Sequence, residues 1–306
     1  MNTPSPSKYM RHNGSHPGEW AFFHYLFALI TAGLFSVGAY ADPAPENWLP
    51  RETRVPGGIA LVDITQLYEP GTEVQLNTMP VKVIPADGRI MAVVGIPLSV
   101  DASQINLRVA PKNREAINLP IALQPGDYPE EHLTITDTNK VSPDAESLQR
   151  IRRETGLIRK YLRQWQTDQV AHGPMVMPVE GRHSSTFGRR RIINGQPRKP
   201  HSGLDIAAPT GTPVFAPADG TVIGGGDFFF NGNSLFIDHG EGLISMFCHL
   251  DEQLVEIGTR VSQGALVARV GATGRVTGPH LHWSLSLNDA RVDPLLYTAV
   301  SPTSER

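Results

Sequence analysis

Five side chains in the second half of the chain have the types and spacing to hold a metal ion and work beside it. "GPHLHWS", residues 278–284, places His280 and His282 one residue apart, a spacing that turns both rings to the same face of a strand. "PHSGLDIA" supplies His201 and Asp205, and "MFCHL" supplies His249. Zinc accepts imidazole nitrogen and carboxylate oxygen, and a catalytic site takes three protein ligands and keeps one position for water. A carboxylate and two imidazoles would leave such a site with about one unit of positive charge, enough to acidify a bound water and polarise a carbonyl. One histidine of the H-x-H pair would then bind the ion while its strand-mate reaches the water or the substrate. Each fragment alone also fits ordinary surface or strand-filling residues. Their co-occurrence in one β-rich region, each beside turn glycines or prolines, is what joins them. His239 precedes a turn glycine and reads as structural. His12, His16, His24, His132, His172 and His183 have no partner pattern.

The chain has 306 residues, a net charge of −3 and 40% hydrophobic residues, with no basic excess that would point to nucleic acid. With 29 glycines and 26 prolines, short strands and turns are favoured over a helical bundle. Cys248 is the only cysteine, so an internal disulfide and a Cys-rich zinc site are both excluded. Strand alternation sends Cys248 away from His249, as a small buried residue.

The elements that must position the five residues follow from the pattern along the chain. Residues 1–41 begin polar and basic, continue through the apolar "AFFHYLFALITAGLFSVGAYA" and end in an A-x-A pattern. They read as an export signal cleaved after Ala41, or as an uncleaved anchor in the inner membrane. Residues 42–138 form a small β domain, sandwich-like, opened by the proline-rich stretch 42–56. Asp87-Gly88 between two Val/Ile-rich runs predicts a hairpin. Residues 139–172 form a helical connector, with Ser142 as N-cap, Pro143 at the first helical position, and an apolar face through Leu148, Ile151, Ile158, Leu162 and Trp165. Its arginines and lysine lie mainly off that face, as a solvated side or as a surface for an anionic polymer or membrane. Residues 173–300 return to an all-β pattern, with a turn at 238–240 between two strands and a basic run, "GRRRIINGQPRKP", read as a groove-edge or solvated loop. The fold class expected is mostly β: an antiparallel sheet domain preceded by a smaller β domain and a connecting helix.

Residues 180–297 resemble the lysostaphin-type zinc metallopeptidases that cut peptidoglycan. The H-x-x-x-D segment, the hairpin "GNSLFIDHGEGLISMFCHL" and "GATGRVTGPHLHWSL" carry the likeness, and the β segment with its connecting helix is similar to the amino-terminal module of some envelope members. The resemblance implies that His201, Asp205 and His282 bind Zn2+ and that His249 and His280 are catalytic. It implies an enzyme that acts on peptidoglycan stem peptides; the N-terminal segment adds export to the periplasm or cell envelope, the ordinary charge points to no nucleic acid, and a monomer is expected. The bond expected is a D,D cross-link, with glycine bridges second. Two positions depart from the pattern: Phe247 replaces a common tyrosine beside His249, and Ser284 replaces a common acidic residue. The rival reading is a peptidoglycan-binding activator without activity of its own, as in relatives that have lost ligands. "GTPVFAPADGTVIGG" also resembles lipoyl- or biotin-carrier modules, but no hairpin-tip lysine is present.

Overall fold

The structure, a computed structural model, describes residues 48–168 and 170–299. The export signal or anchor predicted for residues 1–41 lies outside them. Among the described residues, no helix is long and apolar enough to cross a membrane.

Eight strands precede one long helix: β1 (Ile59–Asp63), β2 (Glu73–Leu76), β3 (Met79–Pro80), β4 (Lys82–Ala86), β5 (Arg89–Gly95), β6 (Gln104–Ala110), β7 (Ile117–Ala122) and β8 (Glu130–Leu133). The helix α1 spans Ala145–Leu162. Beyond it come β9 (Arg182–Ser185), β10 (Arg190–Ile193), β11 (Gln196–Pro197), β12 (Leu204–Ala207), β13 (Pro213–Phe215) and β14 (Gly220–Phe228). The last are β15 (Gly232–Asp238), β16 (Leu243–Gln253), β17 (Arg260–Val261), β18 (Leu266–Val270), β19 (His280–Leu287) and β20 (Ala290–Val292). The protein is mostly β, as expected from its turn-rich composition.

In the first half, the sheet β1-β5-β4 faces the sheet β3-β2-β6-β7. Ala60, Val94, Val74, Leu107 and Ile121 fill the space between them. The predicted hairpin joins β4 to β5, and Asp87 and Gly88 both have positive φ (50° and 73°), the geometry whose twist matches paired strands. The other face of β1 and β5 is not solvated. Ile59 and Val93 turn into the larger core of the second half, beside Leu285, Leu287 and Val292. Two buried faces explain why β5 reads as the nearly unbroken apolar run "RIMAVVG".

The second half is a ten-stranded antiparallel sheet whose main path runs β17-β14-β15-β16-β19-β12-β9. Along β19, Leu281, Trp283, Leu285 and Leu287 enter the apolar core, so His280, His282, Ser284 and Ser286 project from the opposite face. On that opposite face α1 covers part of the sheet, where Leu162, Phe236, Ile244, Met246 and Cys248 form a separate apolar cluster.

Several local expectations shift. Helix α1 starts two residues later than predicted: Asp144, not Ser142, is the N-cap, accepting from the Ser147 N–H at 2.8 Å with its carboxylate at the positive end of the helix. Leu148 is exposed rather than packed, and Trp165 lies past the helix end, against Gly242. The basic run is a hairpin, β10–β11, turned at Asn194-Gly195 with positive φ at both. Finally, β8 leaves the first two sheets and pairs in parallel with β10.

Candidate metal centre

Neighbouring strands bring the donor residues into register. Asp205 on β12 lies opposite His282 on β19, and Ala207 lies opposite His280. His201 arrives from the loop before β12, its backbone N–H bonded to the Arg189 carbonyl and its own carbonyl accepting from Gly188. Gly203, between the two, is required for space rather than for a bend. A Cβ there would sit 2.7 Å from the His282 ring and 2.6 Å from the Trp283 carbonyl.

His249 reaches the site by breaking the rule that serves the others. Phe247 points into the core and Cys248 into the cluster under α1, so regular alternation would return His249 to the core face. Its backbone instead adopts φ 63°, an uncommon left-handed conformation for a side-chain-bearing residue, between irregularities in the pairing of β16. The ring then stands 4.8 Å from His280 and 6.0 Å from His282, centre to centre. Strand alternation therefore does not describe the Cys248–His249 pair, although Cys248 is fully buried as expected.

All four imidazoles are held in the same way. His201 donates from Nδ1 to the Thr186 carbonyl, His249 from Nδ1 to the Thr273 carbonyl and His280 from Nδ1 to the Gly278 carbonyl, each at 2.8 Å. The Ser284 hydroxyl donates to the Ser202 carbonyl, so it accepts from His282 Nε2 at 2.9 Å. Each ring in its neutral form therefore turns a bare lone pair inward. Burial pulls His282 down to about 4, and burial with the neighbouring charges of His280 and His282 pulls His249 down to about 3, so both are neutral near pH 7.

The inward atoms converge. His201 Nε2 lies 3.0 Å from Asp205 Oδ1, His282 Nδ1 lies 2.7 Å from the same oxygen, and the two nitrogens are 3.0 Å apart. Burial opposes ionisation of Asp205, but its contacts with His201 and His282 outweigh burial and hold the carboxyl well below the usual range. Three acceptors meeting without a proton to share suit a divalent cation, and the donor set of two nitrogens and one oxygen fits a borderline-soft ion. His280 stands just outside this trio, with Nε2 3.7 Å from Asp205 Oδ1. A cleft opens over these groups, lined by His249, His280, Asp205 and Arg275.

A supporting layer was not foreseen. Arg191 donates to Asp205 Oδ2 at 2.8 Å and to Glu131 Oε2 at 3.3 Å, and the Ser185 hydroxyl donates to the same Glu131 oxygen at 2.9 Å. Arg191 was within the basic run, but only its pairing with β8 turns it inward. Glu131 lies in the stretch assigned to the first domain, 74 positions before Asp205, with no motif to mark it. Ser284, noted only as a departure, anchors His282. Phe247 is fully buried in the core, so a tyrosine hydroxyl at this position would enter apolar surroundings rather than the site. His239, as predicted, is structural: fully buried and bonded to the Asp219 carbonyl and Ser245.

Fold and site together define a mostly-β protein with a buried His-Asp-His cluster that could hold a divalent metal. Residues 199–294 match peptidase family M23 and residues 52–122 match the peptidase family M23 N-terminal domain. A crystal structure from Pseudomonas aeruginosa, assigned to peptidase M23, is 39% identical with a TM-score of 0.67, covering 80% of this chain and 95% of that one. The chain belongs to peptidase family M23. It is also 44% identical over 115 residues to peptidoglycan DD-endopeptidase ShyC of Vibrio cholerae, which covers 37% of this chain and 26% of that protein. The DD-carboxypeptidase/endopeptidase Mpg of Neisseria meningitidis is 38% identical over 124 residues, 40% of this chain and 29% of Mpg. These matches thus span between a quarter and a third of the two relatives' lengths.

Proposed function

We propose that the chain is a zinc-dependent endopeptidase that hydrolyses peptide cross-links of peptidoglycan in the cell envelope. In this reading His201, Asp205 and His282 hold the ion, and His249 and His280 are catalytic. The observation that carries it is the common arrangement of the four rings: every outer nitrogen is tied to a fixed acceptor, the inner nitrogens of His201, His282 and His280 lie within 3.7 Å of one carboxylate oxygen, and His249 lines the same cleft. When bound, zinc supplies the positive charge that acidifies a water and polarises the scissile carbonyl. His280 Nε2, outside the donor trio and on the same strand face as His282, takes the proton from the attacking water. His280 passes that proton on to the leaving amine, and His249, fixed through Thr273 with its inner nitrogen bare, accepts a hydrogen bond from the attacking water and orients it. The Arg191–Glu131 pair fixes the Asp205 carboxylate, as outer partners of ligands commonly do.

The names of the Vibrio cholerae and Neisseria relatives support D,D cross-links as the bond. Export to the envelope accords with that substrate. We also take residues 42–138, 139–172 and 173–300 as the working division of the chain, and a monomer as the working state. Purified protein should contain close to one zinc per chain and release cross-linked stem peptides from cell wall, with both lost to a chelator. Zinc binding without peptide release would favour the non-catalytic, wall-binding alternative.

A further inference from the structure

The cleft beside the metal centre holds a cation that neither of its carboxylates pairs with. Glu131 and Asp205 both face it, but Arg191 bonds both, and Glu131 also accepts from Ser185. Arg275 lines the same cleft. Among the described residues no carboxylate pairs with Arg275, nor with its neighbour Arg198, which instead donates to the Val141 carbonyl at 2.8 Å. The Arg275 guanidinium is stacked over Phe230, 4.5 Å from the ring centre, and its backbone N–H is bonded to the Phe230 carbonyl at 2.9 Å. Its one protein acceptor is the Lys140 carbonyl, at 3.5 Å. Burial, with the charges of Arg191 and Arg198, pulls Arg275 down to about 10, so it remains a cation near pH 7. A half-buried guanidinium, held flat by an aromatic ring and left without a counter-charge, is built to receive a planar anion through paired N–H groups.

Resting on the peptidase reading above, we propose that Arg275 binds a free carboxylate on the residue beside the scissile bond, and so sets the substrate class. A D,D cross-link carries such a group: the amine-side residue has its carboxylate on the carbon next to the scissile nitrogen. A glycine bridge carries none. Arg275 thus selects cross-links that end in a free acid over uncharged bridges, and it does so without touching the metal.

The test uses zinc-loaded full chain and a defined cross-linked stem-peptide dimer in three forms: unmodified, amidated at the carboxylate beside the scissile bond, or amidated at the more distant stem carboxylates. The parent chain should favour the unmodified dimer over the first amide by about tenfold or more in kcat/KM, the usual scale for a hydrogen-bonded charge pair. Distant amidation should change it little. Arg275→Gln should bring the acid-to-amide ratio near one, and Arg275→Lys should restore part of it. A merely structural role would lower turnover of all three forms and leave the ratio alone, which would overturn the assignment. So would a ratio that follows only the distant carboxylates. If the parent cleaves no dimer, the peptidase reading fails by itself, and equilibrium binding of the same dimers decides for Arg275. Tighter binding of the acid form, abolished in Arg275→Gln, would sustain it, and equal binding would overturn it.

Discussion

Strands β5 and β19 are both central, both buried on two faces, and chemically unlike. On β5 each face meets an apolar surface: Ala92 and Val94 on one side, Val93 on the other. On β19 one face is as apolar, with Leu281, Trp283, Leu285 and Leu287, but the other carries two imidazoles and two hydroxyls. Burying an unpartnered polar group costs about 1–3 kcal/mol, so the second arrangement survives only if the surroundings supply partners. For three of the four they do: His280 has Gly278, His282 has Ser284, and Ser284 has Ser202, while the buried Ser286 hydroxyl has no partner among the described residues. Of the described residues before α1, Lys82 alone is both charged and buried, and it pairs with Glu241 at 2.9 Å. The first half of the chain buries what stabilises; the second also buries what can react.

The sharpest way to break this contrast is at the imidazoles. In the proposed reading, His280→Ala or His249→Ala should lower hydrolysis of cross-linked stem peptides by about 10²-fold or more while leaving zinc content near one, since that reading makes each a proton-handling or water-orienting group and not a ligand. His201→Ala or Asp205→Asn should lose zinc and hydrolysis together. Metal analysis alongside product release separates the two classes. A His280→Ala variant that loses its zinc would place that ring among the ligands instead.

On the apolar face the expected effects are on stability. Trp283 is fully buried, and truncating it to alanine should cost about 3–5 kcal/mol in denaturant unfolding. Between the halves, Asn288 both accepts from the Gly95 N–H at 2.7 Å and donates to its carbonyl at 3.0 Å. Asn288→Ala leaves two buried backbone groups unpaired and should cost about 2–4 kcal/mol. Because Ile59 and Val93 share the larger core, the parent should unfold in one transition. A separate early transition in Asn288→Ala would mean that the halves are held chiefly by this asparagine.

How far the sequence reveals these features depends on the range of the interaction behind them. The alternation in "HLHWSLSL" needs only the two-residue period of a strand, and it shows both faces of β19 correctly. The Asp87-Gly88 hairpin is equally local. His249 is legible by residue type and by its place in the same β-rich region, but its direction is not: the strand period points it the wrong way and the φ of 63° that corrects this has no local signature. Arg191 and Glu131 were hidden for a different reason: β8 and β10 are some 60 positions apart, and only their pairing turns the two side chains toward Asp205. The helix cap was misplaced by two residues because Ser142 and Asp144 both suit the role by type, and only the backbone chooses between them.

The smallest expected effect tests whether a buried imidazole must be a working one. His239 is fully buried, more so than His249, His282 or His280, yet its surroundings point to architecture. It donates from Nδ1 to the Asp219 carbonyl at 2.8 Å, so its Nε2 must accept, and the Ser245 hydroxyl supplies that bond at 2.9 Å. Ser245 in turn accepts from Trp283 Nε1 at 3.2 Å, tying the turn to the core. The chain of bonds requires a neutral ring, and burial lowers His239 to about 4. Unfolding restores an ordinary histidine, so the unfolded chain takes up a proton near pH 6.5 that the folded chain refuses until about 4. The stability His239 contributes is therefore complete above pH 6.5 and lost as pH falls toward 4. Asp238 next to it, raised to about 6 by burial, acts in the opposite sense, but it is present in parent and variant alike. His239→Gln should thus be less stable than the parent at pH 7.5, with the gap narrowing by about 1 kcal/mol at pH 5.5. Denaturant midpoints at the two pH values measure the gap directly. A gap that stays constant would mean that His239 is free to ionise in the folded chain and that its bonds to Asp219 and Ser245 do not demand the neutral form.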